Sequence, residues 1–279
     1  MSTKLIGESL IRIGGGKEKK GEKCLKCRAE MYFEKREGKE KELEAADFCQ
    51  VRLCPACTWR NSLKTYAQVS QIMNYMEEKY DYKFVFLTLS AEGVKGEKLT
   101  EFLDEFFQAF SDLTKLRRFR NVIKGWFRAF DITHDWETGN YHPRFHVILV
   151  VDKSYVEKSD GFISQGEWVT MWKFVLRVGY KLYVDVHSTE KDKSANADYK
   201  ETIAETARYA AGMSDLIYEP TKELINELGE AQAQAYANKR TDEVVEIMDD
   251  AFYRRVLAAY GWVFKEARRT LKKQGEIFY

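Results

Sequence analysis

An α/β chain built around one antiparallel sheet is what this sequence predicts, and three observations predict it. From Phe84 onward, short runs rich in β-branched and aromatic residues alternate with amphipathic helical segments. Two long apolar stretches, Val122 to Thr133 and Tyr141 to Val151, flank a polar turn, Asp135-Trp136-Glu137-Thr138-Gly139-Asn140, as the arms of a hairpin do. All five cysteines lie ahead of that unit, so a metal-binding segment precedes the sheet.

Taken in order, Ser62 to Tyr80 has helical spacing, with Leu63, Tyr66, Ala67, Ile72, Met73 and Met76 as its apolar set. Phe84 to Ser90 is a buried strand by composition. Lys98 to Phe119 is amphipathic, with Leu99, Phe102, Phe106, Phe110 and Leu113 near one face. After the hairpin, Gln165 to Val178 reads as a helix whose N-cap is Ser164 and whose Glu167 completes a capping box. Leu182 to His187 is a short strand, and a further helix runs from about Tyr199 to Ala211. The order β-α-β-β-α-β with flanking helices is the ferredoxin-like arrangement, whose first and third strands are central neighbours. Three regions are expected: a cysteine-bearing segment over 1–61, the sheet domain over 62–218, and a helical C-terminal extension over 219–279.

Bulk charge excludes one mode of action. Lys+Arg number 45 and Asp+Glu 44 in 279 residues, so no global positive field draws in nucleic acid. Binding must use local patches, of which Lys115 to Arg120, Arg254-Arg255 and Arg268 to Lys273 are candidates, with Arg117 and Arg118 at the centre of the first. No apolar run reaches the length of about 20 residues needed to cross a bilayer, and Met1 to Lys20 lacks an apolar secretory core. A cytoplasmic location and no membrane partner are the expectation.

Cys24-Leu25-Lys26-Cys27 and Cys54-Pro55-Ala56-Cys57 are two C-x-x-C knuckles, a spacing that lets two thiolates grip one tetrahedral ion. An odd cysteine count in a cytosolic chain is poorly explained by disulfides, so structural Zn²⁺ is expected. Cys49 competes with Cys24 for the fourth place. The charged segment between, Glu34 to Glu44, reads as an exposed loop or ribbon.

In the sheet domain His146 enters a run of Val, Ile and Leu, while Asp131 closes the facing stretch. If the stretches pair about the polar turn, positions near 131 face positions near 146. A carboxylate and an imidazole then meet on the sheet, a mixed O and N donor set suited to a divalent cation. Further on, Glu205 and Tyr209 are spaced i, i+4 on the trailing helix. A phenol can attack phosphorus and leave a phosphotyrosine, and a carboxylate beside it can activate water.

Four blocks carry a family likeness: Phe48 to Arg60, Phe86 to Ser90, Tyr141 to Val147, and Glu205-Thr206-Ala207-Arg208-Tyr209. Together they resemble the replication initiators of small rolling-circle plasmids of Gram-positive bacteria, which belong to the HUH endonucleases. The likeness is colinear from about Cys24 to Asp215, and Tyr260 to Ala267 also looks familiar. It implies nicking of one strand at the plasmid origin, attachment of the 5′ phosphate to Tyr209, and a free 3′ hydroxyl that primes synthesis. Glu205 matches the glutamate that supports the closing cleavage. Asp131 falls where the family has an acidic residue before its paired histidines and His146 matches the second of that pair, positions that imply a site for Mn²⁺ or Mg²⁺, and Arg208, beside Tyr209, is a candidate DNA contact. The family's cysteine pattern favours Cys27, Cys49, Cys54 and Cys57 over Cys24. Origin DNA, a host helicase and a host polymerase are the implied partners.

The chain departs from the pattern at two positions. Arg144 stands where the family has the first histidine of its pair, and a guanidinium has no lone pair to offer a metal. His142, of the same strand parity, or His134, just past Asp131, would have to fill the gap; otherwise Arg144 contacts the scissile phosphate itself. Gly212 stands where the family often has a lysine. The competing readings are another HUH nuclease, a transposase or relaxase, and a DNA-binding protein with impaired nicking.

Overall fold

The computed structural model describes residues 2–34, 42–157, 161–188 and 216–277. In chain order the described elements begin with α1 (Ser2–Ile13), α2 (Glu18–Leu25), β1 (Met31–Glu34), β2 (Glu42–Ala46), α3 (Pro55–Tyr80), β3 (Lys83–Ser90) and β4 (Val94–Lys95). They continue with α4 (Gly96–Leu113), α5 (Arg117–Val122), β5 (Gly125–Asp135), β6 (Asn140–Val151), α6 (Lys153–Val156), α7 (Gln165–Leu176) and β7 (Val184–Ser188). The last are α8 (Lys222–Leu228), α9 (Glu230–Ala251), β8 (Ala258–Gly261) and α10 (Trp262–Gln274). They fall into two compact units, Met1–Arg60 with Met213–Tyr253, and Asn61–Gly212 with Arg254–Tyr279.

The first unit holds a helical cluster and a short ribbon. β1 and β2 pair antiparallel. Ile6 and Leu10 of α1 are fully buried, as are Ala233 and Val245 of α9. Ion pairs line the same elements: Arg12 donates to Asp242 at 2.7 and 2.9 Å, Lys17 to Asp250 at 2.8 Å, and Lys20 to Asp249 at 2.7 Å. α1 and α2 approach closely because Gly21 has no side chain; a Cβ there would stand 2.5 Å from the Gly7 carbonyl oxygen.

The second unit is a mixed α/β domain on a six-stranded antiparallel sheet, ordered β7-β3-β6-β5-β8 with β4 on β6. β3 and β6 pair from Lys83↔Val151 to Ser90↔Arg144, which makes the first and third strands of the expected series direct neighbours. The polar turn closes the β5–β6 hairpin: Asp135 Oδ1 accepts from the Glu137 amide at 2.9 Å, and Gly139 takes a positive φ of 66°. Ser164 and Glu167 form the expected capping box at the start of α7.

One face of the sheet presents Leu87, Phe130, Phe145 and Val147 to α4 and α7, with Phe106 stacked on Phe145 at 4.4 Å and edge-on to Trp172 at 5.3 Å. On the opposite face Phe84, Phe86, Phe127, Ala129, Ile148 and Val150 are covered by Val69, Ile72, Met73 and Met76 of α3 and by Phe264, Ala267 and Leu271 of α10. Among the described residues, that apolar cover lies over one half of the face. The other half carries polar side chains.

The structure revises several expected boundaries. α3 begins at Pro55, not Ser62, because proline suits the first helical position and leaves no useful N–H unpaired. The helix expected over Lys98 to Phe119 is two, α4 and α5, separated at Thr114 to Leu116. Residues 219–279 are not a single helical extension. Up to Tyr253 they belong to the first unit; beyond it β8 pairs with the free edge of β5, and α10 supplies apolar cover that the sheet face requires. The helix expected over about Tyr199 to Ala211 lies outside the described residues.

Candidate functional site

The cysteines converge in the first unit. Cys27 follows the end of α2, where its amide donates to the Cys24 carbonyl at 3.0 Å. Cys54 ends a turn whose amide donates to Val51 at 3.1 Å, and Cys57 rides the first turn of α3. The Cys27, Cys49, Cys54 and Cys57 sulfurs all lie within 4.8 Å of one another. Thiolates at about 2.3 Å from a tetrahedral ion stand about 3.8 Å apart. Here Cys27–Cys54 is 3.6 Å, Cys27–Cys57 3.7 Å and Cys49–Cys57 3.5 Å. The donor set therefore fits one tetrahedral thiolate-bound ion. Hydrogen bonding from Cys24 draws the Cys54 thiol down to about 4, against its burial. Burial pushes Cys27 up to about 11 and Cys57 up as well. Cys24 stands at the edge of the cluster, 3.9 Å from Cys49.

The polar half-face of the sheet is built by strand register. Asp131 pairs with Arg144, Ala129 with His146 and Thr133 with His142 on the β5–β6 ladder. On the other side of β6, Thr88 pairs with His146 and Ser90 with Arg144, and Asp185 of β7 pairs with Thr88. Paired residues share a face, so Asp131, Thr133, His142, Arg144, His146, Thr88, Ser90 and Asp185 all point to the same side. Asp131 is 4% exposed. Partial burial, with the Arg144 charge acting in the same sense, lowers His146 to about 4, so its imidazole is neutral near pH 7. Its Nδ1 lies 3.4 Å from Thr88 Oγ1.

The register decides which expected residues meet. Asp131 faces Arg144 directly, and His146 is its diagonal neighbour at a Cα separation of about 7–8 Å. A carboxylate oxygen and a neutral imidazole nitrogen are suitable donors for Mn²⁺ or Mg²⁺. Among the described residues, however, the group of three or more donors brought within 4.8 Å is the cysteine cluster alone. His142 does not complete a set with His146, since four strand residues separate their Cα atoms by about 13 Å. His142 instead packs on Gly93, where a Cβ would stand 2.7 Å from its Cε1. His134 pairs with Tyr141 and faces the opposite side from Asp131, with its ring against Trp136 and Tyr141 at 4.4 and 4.6 Å.

The expected basic patch lies elsewhere. α5, which carries Arg117 and Arg118, precedes the Gly125 end of β5, about 20 Å along the strand from Asp131. Arg118 donates to the Phe162 carbonyl at 2.7 Å and pairs with Glu167 at 3.4 Å, while Arg117 is exposed. Glu205, Arg208, Tyr209 and Gly212 lie outside the described residues. Four side chains on the half-face were not singled out from sequence: Thr88, Ser90, Thr133 and Asp185. The alternation Asp185-Val186-His187 on a short strand is the signal that placed Asp185 there; His187 Nδ1 lies 3.5 Å from its carboxylate.

Among the described residues no helix is long and apolar enough to cross a membrane. A family model described as replication protein, Rep_1, matches residues 40–277. A protein named "Protein rep" from Bacillus sp is 32% identical over 255 residues, 91% of this chain and 81% of that one. Proteins of the same name from Bacillus amyloliquefaciens and Streptococcus pneumoniae are each 31% identical, covering 91% and 92% of this chain and 73% and 75% of theirs. No solved structure matches. With the family model running through the sheet and these relatives covering about nine-tenths of the chain, the chain belongs to the Rep_1 family of replication proteins.

Proposed function

We propose that the protein initiates plasmid replication by nicking one strand at the double-strand origin. The observation that carries this reading is the family match running through residues 40–277, which contain the polar half-face with Asp131 and neutral His146. In the proposed step the Tyr209 phenol oxygen attacks the scissile phosphorus and loses its proton. The P–O3′ bond breaks, the 3′ oxygen leaves as a hydroxyl that primes synthesis, and the 5′ phosphate remains on the tyrosine. Glu205 activates water for the closing cleavage.

Asp131 and His146 are the residues that would hold Mn²⁺ or Mg²⁺, which when bound would polarise the scissile phosphate. His146 offers its lone pair because partial burial and the Arg144 charge keep it unprotonated. Arg208 is assigned to the DNA backbone, where a guanidinium can bind phosphate through two parallel hydrogen bonds. Cys27, Cys49, Cys54 and Cys57 would hold structural Zn²⁺. The strand order supports a ferredoxin-like core with β8 added at one edge. Host helicase and polymerase follow as partners of the nicked origin, and the cytoplasm as its place of action.

Supercoiled origin DNA incubated with the protein and Mn²⁺ or Mg²⁺ should yield relaxed product and a covalent protein–DNA adduct. Tyr209→Phe should abolish the adduct and leave origin binding nearly intact. Persistence of the adduct in that variant assigns the nucleophile to another tyrosine. A second reading, an origin-binding protein with weak nicking, draws on the direct Asp131↔Arg144 pairing, which sets a fixed cation against a buried carboxylate. Tight origin binding without relaxation would favour it.

A further inference from the structure

We propose that the cysteine cluster is a five-thiol site in which Cys24 and Cys49 exchange as the fourth ligand of one zinc ion. The proposal rests on the zinc reading above and goes beyond its four-cysteine assignment. Cys24 is 1% exposed, and its sulfur lies 3.9 Å from that of Cys49, close to the length of one edge of a tetrahedral thiolate site. It also hydrogen-bonds Cys54, so it touches the cluster at two sulfurs. Cys24 and Cys27 already form a knuckle, closed by the 3.0 Å bond from the Cys27 amide to the Cys24 carbonyl. The sets Cys27, Cys49, Cys54, Cys57 and Cys24, Cys27, Cys54, Cys57 thus share three sulfurs. The second is a pairing of two C-x-x-C knuckles, a ligand spacing that structural zinc sites use widely.

The two exchanging residues differ in what holds them. Cys24 is part of α2, whereas Cys49 lies in the irregular segment between β2 and α3 and is partly exposed. Cys49 can therefore leave without unwinding a helix. On exchange the Zn–S bond to Cys49 breaks, a Zn–S bond to Cys24 forms, and the proton of the Cys24 thiol passes to the Cys49 sulfur. Charge and oxidation state are unchanged. The consequence is a site that keeps its ion when Cys49 is alkylated or oxidised by a peroxide.

The test is zinc content and Co²⁺ absorption of the full chain carrying Cys24→Ser, Cys49→Ser, both together, or Cys54→Ser. Wild type and both single variants at positions 24 and 49 should bind about one ion with a four-thiolate Co²⁺ spectrum. The affinity of the Cys49→Ser protein should fall by about tenfold, and that of the double variant by a thousandfold or more. If Cys49→Ser loses the ion as Cys54→Ser does, Cys24 is a bystander and the exchange is refuted. If Cys24→Ser alone loses it, Cys24 is a fixed ligand and the exchange is refuted in the other direction. A wild-type chain that binds no zinc rejects the zinc reading itself. The ¹¹³Cd-substituted wild type needs no variant to fold: scalar coupling of the metal to Hβ protons of all five cysteines is expected, and coupling to four alone overturns the proposal.

Discussion

Lowering the pH should destabilise the sheet unit through His146, by an amount set by how far its environment resists a proton. In the folded protein the imidazole is lowered from 6.5 to about 4, first by burial and second by the Arg144 charge. In the unfolded chain it titrates near 6.5. Between those values the unfolded state binds a proton that the folded state does not, so stability is lost as pH falls from above 6.5 toward 4. At about 1.4 kcal/mol per tenfold change in proton affinity, the full difference is roughly 3 kcal/mol. From pH 7.5 to 4.5 the loss should be about 2–3 kcal/mol, most of that total. Denaturant unfolding followed by tryptophan fluorescence at the two pH values, on wild type and His146→Gln, measures it. The wild type should lose about 2–3 kcal/mol more than the variant over that interval. Equal losses would mean that His146 is already protonated or solvated in the folded state, and would refute the account of a buried neutral imidazole.

Arg144→His places a neutral nitrogen donor opposite Asp131 and removes a cation, so Mn²⁺ affinity read from free-ion electron paramagnetic resonance should rise about tenfold or more. Nicking should rise with it; a fall in nicking despite tighter metal binding would assign Arg144 to the scissile phosphate. Cys54→Ser should lose zinc and destabilise the first unit, and zinc uptake by metal-free wild type should release at least two protons at pH 7, because Cys27 and Cys57 titrate above their usual range. Indicator-dye proton counting checks the second point, and zinc affinity should weaken as pH falls. Gly261→Ala puts a Cβ 2.1 Å from the Trp126 ring, which is packed edge-on to Phe110 at 5.1 Å; the ring must shift, at a cost of about 1–3 kcal/mol in thermal or denaturant unfolding.

Local chemistry in the sequence determined a good deal of this protein. The Ser164–Glu167 box, the Asp135–Gly139 turn and the two cysteine knuckles act between residues a few positions apart, so their geometry follows from residue type and spacing. The apolar runs of β3, β5 and β6, with the βαββαβ order, were enough to anticipate the central β3–β6 pair. What the tertiary structure decided is non-local. β8 spans Ala258–Gly261, too short for a period of two to show, and only its pairing with β5 makes it a strand. Which half of the site face is apolar follows from the packing of α3 and α10 against it, which no stretch of sequence records. Above all, hairpin register set the partners of Asp131. A shift of two residues would have placed it directly opposite His146; the observed pairing sets it against Arg144, turns His134 to the other face and leaves His142 about 13 Å from His146. Residue types announce a polar site in a buried sheet, but which side chains share it depends on strand alignment, which is a property of the assembled ladder.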